Sequence, residues 1–437
     1  MISALPSETD VHLKSIGTPV GEAPSPAYHA CAMVLMLMVF LPAICAQTTP
    51  AKAPAVANKN QIIPEVKIPV VPLGYLPPGD LPAFSYYAMV ELHFIDEDHV
   101  IFAFNTPGLL KRDDNCPNAD VQRMVRAVVF QLPSARILRQ ADWELYDYMD
   151  FLWGLGDGKL LLRRCNQLEK IGVDLDPQVL IKAVGTIEDV SFSPDHDLVV
   201  VQEKVTPDAA DKDNAALPSV LAQETEGTIT NISFIRLNPL SLIGRSKSEV
   251  PLAIPVIGNG IFETLTAPHD QWDVNLHIFH QAERQVATVQ SLCQPLIQTI
   301  SNTIFMATTC SKDGPKPLKG YDLQGSLLWQ ISLAPNQYRP RLIRISNGSH
   351  FAIESLRLTH PHAAMDPLTK AEVEGEDIDI YDTVTGQRVA TFMTSPAYTG
   401  GRNADFSPDG QRMAVLHDGA IEIYSVSELI KAFSGSH

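Results

Sequence analysis

The chain has 437 residues, 45% of them hydrophobic, so it can bury a large core and suits one repeat array or two domains. Its formal net charge at pH 7 is −17. Because nucleic acid and anionic membrane surfaces attract basic proteins, this charge argues against both as main partners. An acidic surface of this kind mostly indicates solubility.

The first element in chain order is an apolar segment, Met33–Ala46, that ends in small residues. It is too short to span a bilayer comfortably, and signal peptidase requires small residues at its cleavage site. We therefore predict that residues 1–46 are a secretion signal. The leader carries one lysine against three acidic residues, a poor positive region, so an uncleaved membrane anchor is the alternative. Residues 47–64 form a Pro/Ala-rich linker.

Strand-like runs follow from about residue 86 onwards, in sets of about four at intervals near 50 residues. The boundaries of the fourth and fifth sets are poorly defined. The seventh set, which begins at Asn403, is one strand short. No long stretch has helical spacing, and only Glu428–Phe433 is predicted to form a short helix.

Two copies of one turn motif mark the repeat, Phe192-Ser193-Pro194-Asp195-His196 and Phe406-Ser407-Pro408-Asp409-Gly410. Pro and Asp favour a tight turn between two apolar runs, so each copy predicts a β-hairpin. About seven four-stranded hairpin units fit an all-β fold, a β-propeller over residues 65–437. A ring closes best when both chain ends complete one blade. The strand missing from the seventh set is therefore assigned to Val66–Val71.

The hairpins at Tyr321–Trp329 and Tyr381–Phe392 have the pattern of outer strand pairs of propeller blades. Together with the two turns, they resemble the WD-repeat-like propellers of exported bacterial proteins, over roughly residues 86–426. The Gly-His and Trp-Asp pairs of true WD repeats are absent. The resemblance implies a binding platform more often than an enzyme, and it transfers no site residue.

Four cysteines remain after the leader, and an even number in an exported chain favours disulfides. Counting outwards from a two-residue Ser301-Asn302 turn places Cys293 directly opposite Cys310, on a non-hydrogen-bonded pair that suits a disulfide. By elimination, Cys116 pairs with Cys165. These two lie in equivalent connections of neighbouring blades, which agrees with that pairing.

Three long connections, Lys111–Arg123, Lys204–Gly227 and Thr359–Glu376, each join a second strand to a third. They should therefore project from one face of the propeller, where such scaffolds carry function. The leading hypothesis is an extracytoplasmic (periplasmic or secreted) monomer that binds a protein or a cell-envelope component without catalysis. The alternatives are a hydrolase or lyase with its site at the central channel, and a scaffold held at the membrane by the N-terminus.

The candidate metal ligands are weak. Asp208, Asp211 and Asp213 lack the glycine and the closing glutamate of a calcium loop. His277 and His280 are predicted to point to opposite faces of a strand, so they cannot chelate together. One loop has residue types that suit zinc, but a solvated acidic loop explains it better: His360, His362, Glu372, Glu374, Glu376 and Asp377.

Gly154–Lys159 imitates a phosphate-binding loop. Such a loop must open a helix, and the leucines that follow predict a strand, so a hairpin turn is the better interpretation. We accordingly assign no catalytic residue, no cofactor and no metal from the sequence.

Overall fold

Seven antiparallel sheets, arranged as the blades of a β-propeller, make up the described part of the protein. The structure is a computed structural model that describes residues 62–77, 89–107, 116, 123–146, 150–205, 229–310, 317–345, 348–362, 368–394 and 401–434. The all-β, seven-bladed prediction is confirmed. The predicted leader, residues 1–46, and most of the linker at 47–64 lie outside the described residues.

The strands follow in chain order, and each blade begins with its innermost strand. The closing strand is β1 (Val66–Pro69). Blade 1 contains β2 (Val90–Asp96), β3 (His99–Thr106), β4 (Arg123–Gln131) and β5 (Arg136–Leu145). Blade 2 contains β6 (Leu152–Gly156), β7 (Lys159–Arg164), β8 (Gln167–Ile171) and β9 (Gln178–Lys182). Blade 3 contains β10 (Thr186–Phe192), β11 (Leu198–Val205), β12 (Ile229–Leu237) and β13 (Leu240–Ser248).

The second half of the ring repeats this order. Blade 4 contains β14 (Val256–Ile257), β15 (Gly260–Ala267), β16 (Gln271–Ile278) and β17 (Arg284–Gln290). Blade 5 contains β18 (Leu296–Thr299), β19 (Ile304–Thr308), β20 (Pro317–Asp322) and β21 (Leu327–Ser332). Blade 6 contains β22 (Gln337–Arg344), β23 (His350–Leu358), β24 (Val373–Asp382) and β25 (Arg388–Thr394). Blade 7 contains β27 (Ala404–Phe406), β28 (Arg412–His417) and β29 (Ala420–Ser425), and the two-residue β26 (Gly401–Arg402) precedes it.

The ring is closed by strands from both ends of the chain, as the sequence predicts. β1 pairs antiparallel with β29 and is the outermost strand of blade 7. Lys67 on β1 donates to the buried Glu422 on β29 at 2.6 Å. At the axis, β26 pairs in parallel with β2 and so ties the last blade to the first.

The core consists of apolar layers between neighbouring blades. Because side chains alternate along a strand, the two inner strands of a blade bury residues on both faces. Phe262 of blade 4 packs against Phe305 of blade 5 with ring centroids 4.8 Å apart. The predicted C-terminal helix is present as α1 (Val426–Ser434), and its Leu429 packs in a cluster with Ala390 of blade 6. No described helix is long and apolar enough to cross a membrane, and Met33–Ala46 is not among the described residues.

Two local expectations were wrong. The first strand of the fourth blade, β14, was missed because it is only two residues long and carries no alternation. The hairpin of blade 5 has a three-residue turn, since Thr299 pairs with Phe305 and the Ile300 N–H donates to the Ile304 carbonyl at 3.0 Å. The count that placed Cys293 directly opposite Cys310 is therefore off by one residue.

The two cysteines still pair, because they lie beyond the ladder. β18 begins at Leu296, and the irregular segment before it resets the register. Within that segment, Ser291 Oγ accepts a hydrogen bond from the Cys310 N–H at 3.0 Å. The structure places Cys293 with Cys310 at a Cα separation of 5.6 Å, and Cys116 with Cys165 at 5.3 Å.

Candidate ligand-binding site

A pocket of about 320 Å3 lies on the propeller axis and is lined by residues from six of the seven blades. It opens at the end where each blade turns from its first strand to its second, and we call this end the turn face. The turn face includes Asp195 in blade 3 and Asn302 in blade 5. Both of the Phe-Ser-Pro-Asp turns found in the sequence reach the pocket, through Phe192, Pro194, Phe406 and Pro408.

One arginine crosses the axis. Arg344 ends β22 in blade 6, and its Nη1 donates to the Phe192 carbonyl in blade 3 at 3.2 Å and to Thr299 Oγ1 in blade 5 at 3.3 Å. Burial, and then the nearby charge of Arg402, lower the pKa of Arg344 to about 10. The guanidinium therefore stays charged at neutral pH, inside the pocket.

A second arginine, Arg402 on β26, also lines the pocket. Its side chain makes no hydrogen bond or ion pair with any residue that the structure describes. Neither Arg402 nor Arg344 has a carboxylate oxygen within 4.0 Å among the described residues, whereas several other arginines do. Arg341, for example, pairs with the buried Glu354, and Arg357 pairs with the buried Asp377.

A buried histidine lies between two carboxylates at the pocket wall. His93 on β2 has its Nε2 at 3.2 Å from Glu91 Oε2 and its Nδ1 at 3.6 Å from Asp405 Oδ2. Burial opposes the imidazolium, but hydrogen bonds to Asp405 and Glu91 outweigh it and raise the pKa of His93. Burial also raises the pKa of Glu91, against the smaller, lowering effect of its hydrogen bond to His93.

The mouth of the pocket is held by hydrogen bonds between turns of different blades. Asn302 Nδ2 donates to Asp195 Oδ2 at 2.7 Å, and the Gly258 N–H donates to Asn302 Oδ1 at 3.1 Å. The amide of Asn302 thus links the first turns of blades 3, 4 and 5. His196 Nδ1 lies 2.6 Å from the Gly154 carbonyl and links blade 3 to blade 2.

One wall of the pocket is apolar and aromatic. Trp153 and Phe192 are both buried, with ring centroids 6.2 Å apart. Beside them, Gly154 leaves space, since a Cβ added there would meet no other atom within 4 Å. The pocket therefore combines two guanidinium groups with two aromatic residues.

At the opposite face, which we call the loop face, each blade turns from its second strand to its third, and the three long connections begin and end there. They join β3 to β4, β11 to β12 and β23 to β24, as predicted, and most of their residues lie outside the described ones. The Cys116–Cys165 disulfide joins two neighbouring connections on this face, in blades 1 and 2.

The structure brings some of the candidate metal ligands together and leaves others apart or outside the described residues. Asp208, Asp211 and Asp213 lie outside the described residues. Glu372 Oε1 lies 3.3 Å from His360 Nε2 and 3.7 Å from His362 Nδ1, so the structure brings these three together. Glu376 and Asp377 are not part of this group, because both are buried in β24. Glu376 Oε2 accepts a hydrogen bond from Asn403, and Asp377 pairs with Arg357.

Sequence reasoning missed a second His-carboxylate cluster. Glu263, His277 and Glu283 of blade 4 have ligand-type atoms that all lie within 4.8 Å of one another. His277 Nε2 is 2.9 Å from Glu263 Oε2, and this hydrogen bond raises the pKa of His277. Burial opposes the rise, and the charge of Glu283 adds to it. The cluster is explained as a charge-assisted hydrogen bond. The separation of Glu263 from His277 by 14 residues left no spacing motif in the sequence.

No sequence motif indicated the axial pocket either. Gly154–Lys159 does form the β6–β7 turn that the sequence predicts, and Gly154 and Gly156 of this turn line the pocket. The only signal for Arg344 was a basic residue inside the apolar run Leu342–Ile345. A charge at an inward position of a first strand is what could have drawn attention to it.

Comparisons with known proteins find relatives only at the level of the fold. No protein-family model matches the chain, and no curated protein matches it. An acylaminoacyl peptidase from Pyrococcus horikoshii is similar with a TM-score of 0.47 and 10% identity, over 81% of this chain and 55% of the peptidase. A chain of the mitotic checkpoint complex is similar with a TM-score of 0.45 and 10% identity, over 87% of this chain and 99% of the other. TolB from Acinetobacter baumannii has a TM-score of 0.35 and 13% identity, over 75% of this chain and 77% of TolB. Similarities this distant carry no argument about function.

Proposed function

We propose that this protein is an extracytoplasmic, non-catalytic binding propeller that holds a small ligand in its axial pocket. The observation that carries the proposal is the pocket itself, a cavity of about 320 Å3 with convergent polar side chains from separate blades. This volume falls at the lower end of the roughly 300–1,000 Å3 that is typical of small-molecule sites.

The pocket is pre-organised, which favours binding. Its turns are tied together by Asn302, His196 and Arg344, each of which reaches a different blade. A site that is already ordered loses less conformational entropy when a ligand arrives. The rigid ring therefore supplies the geometry, and the side chains on the turn face supply recognition.

The test fills the pocket without touching its charged groups. Gly154→Phe places a ring in the open space beside Trp153, and Gly154→Ala is the matched control because its methyl group has room. Native mass spectrometry of each protein after incubation with the small-molecule fraction of an envelope extract should show an adduct on the wild type and Gly154→Ala only. The same adducts on all three proteins, or none on any, would contradict the proposal.

Export is a separate part of the proposal, supported by the two disulfides, since such bonds persist in oxidising compartments. Intact-mass analysis of the native protein tests it. We expect a mature chain that begins near Gln47, and an uncleaved chain in the cytosolic fraction would contradict it.

The loop face is proposed to hold a protein or envelope partner, because three long connections begin and end there. Deleting residues 206–228 should abolish co-purification of that partner and leave adducts in the axial pocket unchanged. Retention of every partner by the deletion variant would refute this assignment and leave the pocket proposal intact.

A hydrolase or lyase acting at the axis is the second candidate, and the arrangement Glu91–His93–Asp405 favours it. A histidine between two carboxylates can act as a general acid or base when it reaches substrate. Turnover of carbohydrate or peptide substrates that is lost in His93→Gln would establish this function in place of pure binding.

A further inference from the structure

Two arginines in the axial pocket have no carboxylate oxygen within 4.0 Å among the residues that the structure describes, although arginines elsewhere pair with buried carboxylates. We propose that they bind the carboxylate of a small organic acid, whose apolar body lies against Trp153 and Phe192. This inference rests on the proposed function, because it names the chemical class of the ligand that the axial pocket would hold.

The unused hydrogen-bonding capacity of the arginines carries the argument. Arg344 uses Nη1 for the Phe192 carbonyl and Thr299 Oγ1, and among described residues its Nη2 and Nε have no acceptor. Arg402 donates to no acceptor in the described part of the chain. A guanidinium presents five N–H donors in a planar fork, so two such groups leave several donors for a ligand.

The acidic groups of the pocket do not neutralise these cations. Asp405 accepts from the Phe94 N–H at 2.9 Å and faces His93, so its charge is already engaged. Asp195 accepts from Ser193 Oγ and Asn302 Nδ2 at the mouth. Glu91, the acid near Arg402, is engaged by His93, whose Nε2 lies 3.2 Å from Glu91 Oε2. An anion that binds in the pocket would pair with both guanidinium groups, of which that of Arg344 is desolvated.

The chemistry of the pocket favours a monocarboxylate with an apolar body. A carboxylate matches the guanidinium fork with two parallel hydrogen bonds. The doubly charged form of a phosphate would be repelled by Asp405 and Asp195, which lie in the same pocket. The aromatic wall of Trp153 and Phe192 suits an aliphatic or aromatic group. Metal cations would be repelled by both arginines.

The experiment uses benzoate as a probe and benzamide as its neutral isostere. Isothermal titration calorimetry on the purified protein, at constant ionic strength and neutral pH, should detect benzoate binding and no benzamide binding. Arg402→Gln and Arg344→Lys should each weaken benzoate binding about tenfold or more, as expected when a charge-assisted hydrogen bond is lost. Arg284→Gln removes an exposed arginine of β17 and should leave binding unchanged.

Three results would overturn the inference. They are equal binding of benzamide, unchanged benzoate binding in Arg402→Gln, and phenylphosphonate binding more tightly than benzoate. Arg402→Gln keeps the test valid if Arg344→Lys unfolds, because the Arg402 side chain makes no hydrogen bond or ion pair among the described residues. If the adduct blocked by Gly154→Phe persists while benzoate fails to bind, the ligand class is wrong and the binding function stands. If no adduct depends on Gly154, the proposed ligand class and the proposed binding function are both refuted.

Discussion

The two Phe-Ser-Pro-Asp turns have the same internal chemistry but different surroundings. In blade 3, Ser193 Oγ donates to Asp195 Oδ1 at 2.5 Å and accepts from the Leu198 N–H at 3.0 Å. In blade 7, Ser407 Oγ donates to Asp409 Oδ1 at 2.6 Å and accepts from the Arg412 N–H at 2.9 Å. The turn motif therefore builds the same hydrogen-bonded loop twice.

The difference lies at the fifth position. Gly410 adopts a left-handed φ of 71°, as the turn requires, and His196 adopts 59° at the equivalent place. A side chain there is strained, since only glycine enters this region freely. The hydrogen bond between His196 Nδ1 and the Gly154 carbonyl offsets that strain and binds blade 3 to blade 2. Both turns line the pocket, and the residue that departs from the favoured type also ties its turn to a neighbouring blade.

The largest expected effect concerns the aromatic residue that begins each turn. Phe192 and Phe406 are both buried, so replacing either with alanine should lower the free energy of unfolding by about 3–5 kcal/mol. Urea denaturation of Phe192→Ala and Phe406→Ala would measure this. A large decrease in the free energy of unfolding in only one of the two variants would show that the two turns do not support the ring equally.

The buried serines come next. Ser193 and Ser407 are both 0% exposed, and each hydroxyl serves one donor and one acceptor. Ser193→Ala and Ser407→Ala should each lower the free energy of unfolding by about 1–3 kcal/mol, because a backbone N–H and a carboxylate lose their hydrogen-bond partner. The exposed Ser332 provides a control, and Ser332→Ala should stay within about 0.5 kcal/mol of the wild type. Equal costs for control and turn variants would refute the shared turn chemistry.

The fifth position should distinguish the turns by their response to pH. Burial, and then the charge of Arg344, lower the pKa of His196 from 6.5, so the unfolded chain takes up the proton more readily than the folded protein. The resulting stability is present above pH 6.5 and is lost as the pH falls through the folded pKa.

His196→Asn removes this dependence, and asparagine tolerates the left-handed conformation. The stability difference between wild type and His196→Asn should therefore shrink as the pH is lowered from about 7 to about 5, in denaturation curves recorded at each pH. Gly410→Asn removes no titratable group. Its stability difference from the wild type should therefore stay constant over the same pH range. A constant difference for both variants would contradict the role of His196.

The smallest effect is expected at the exposed link between blades. Asn302→Ala removes the hydrogen bonds to Asp195 and Gly258, and it should cost about 0.5–1 kcal/mol because these groups regain water. Hydrogen exchange at the Gly258 amide should accelerate, while the amide of Gln411 in the blade 7 turn stays as protected as before. Unchanged exchange at Gly258 would show that Asn302 does not order the mouth.

Much of the fold was predictable because hairpins depend on neighbours in the sequence. Alternating apolar residues and turn residues located most strands. The shortened seventh set assigned Val66–Val71 as the closing strand, and Val66–Pro69 of that segment forms it. β14 escaped because two residues show no period. The blade 5 turn was misjudged by one residue because Ser301, Asn302 and Thr303 are all typical turn formers, so composition did not define where the turn ends.

The sequence by itself determined the local units of this protein, namely its hairpins, their turns and the approximate length of each blade. The pocket was decided only by the tertiary structure. Arg344 and the Phe192 carbonyl, which meet across the axis, are 152 residues apart in the chain. Alternation assigns a side chain to one face of its own strand, but it carries no information about which distant strand lies opposite. Ring closure supplies that information, because it brings the first strands of separate blades together around one axis.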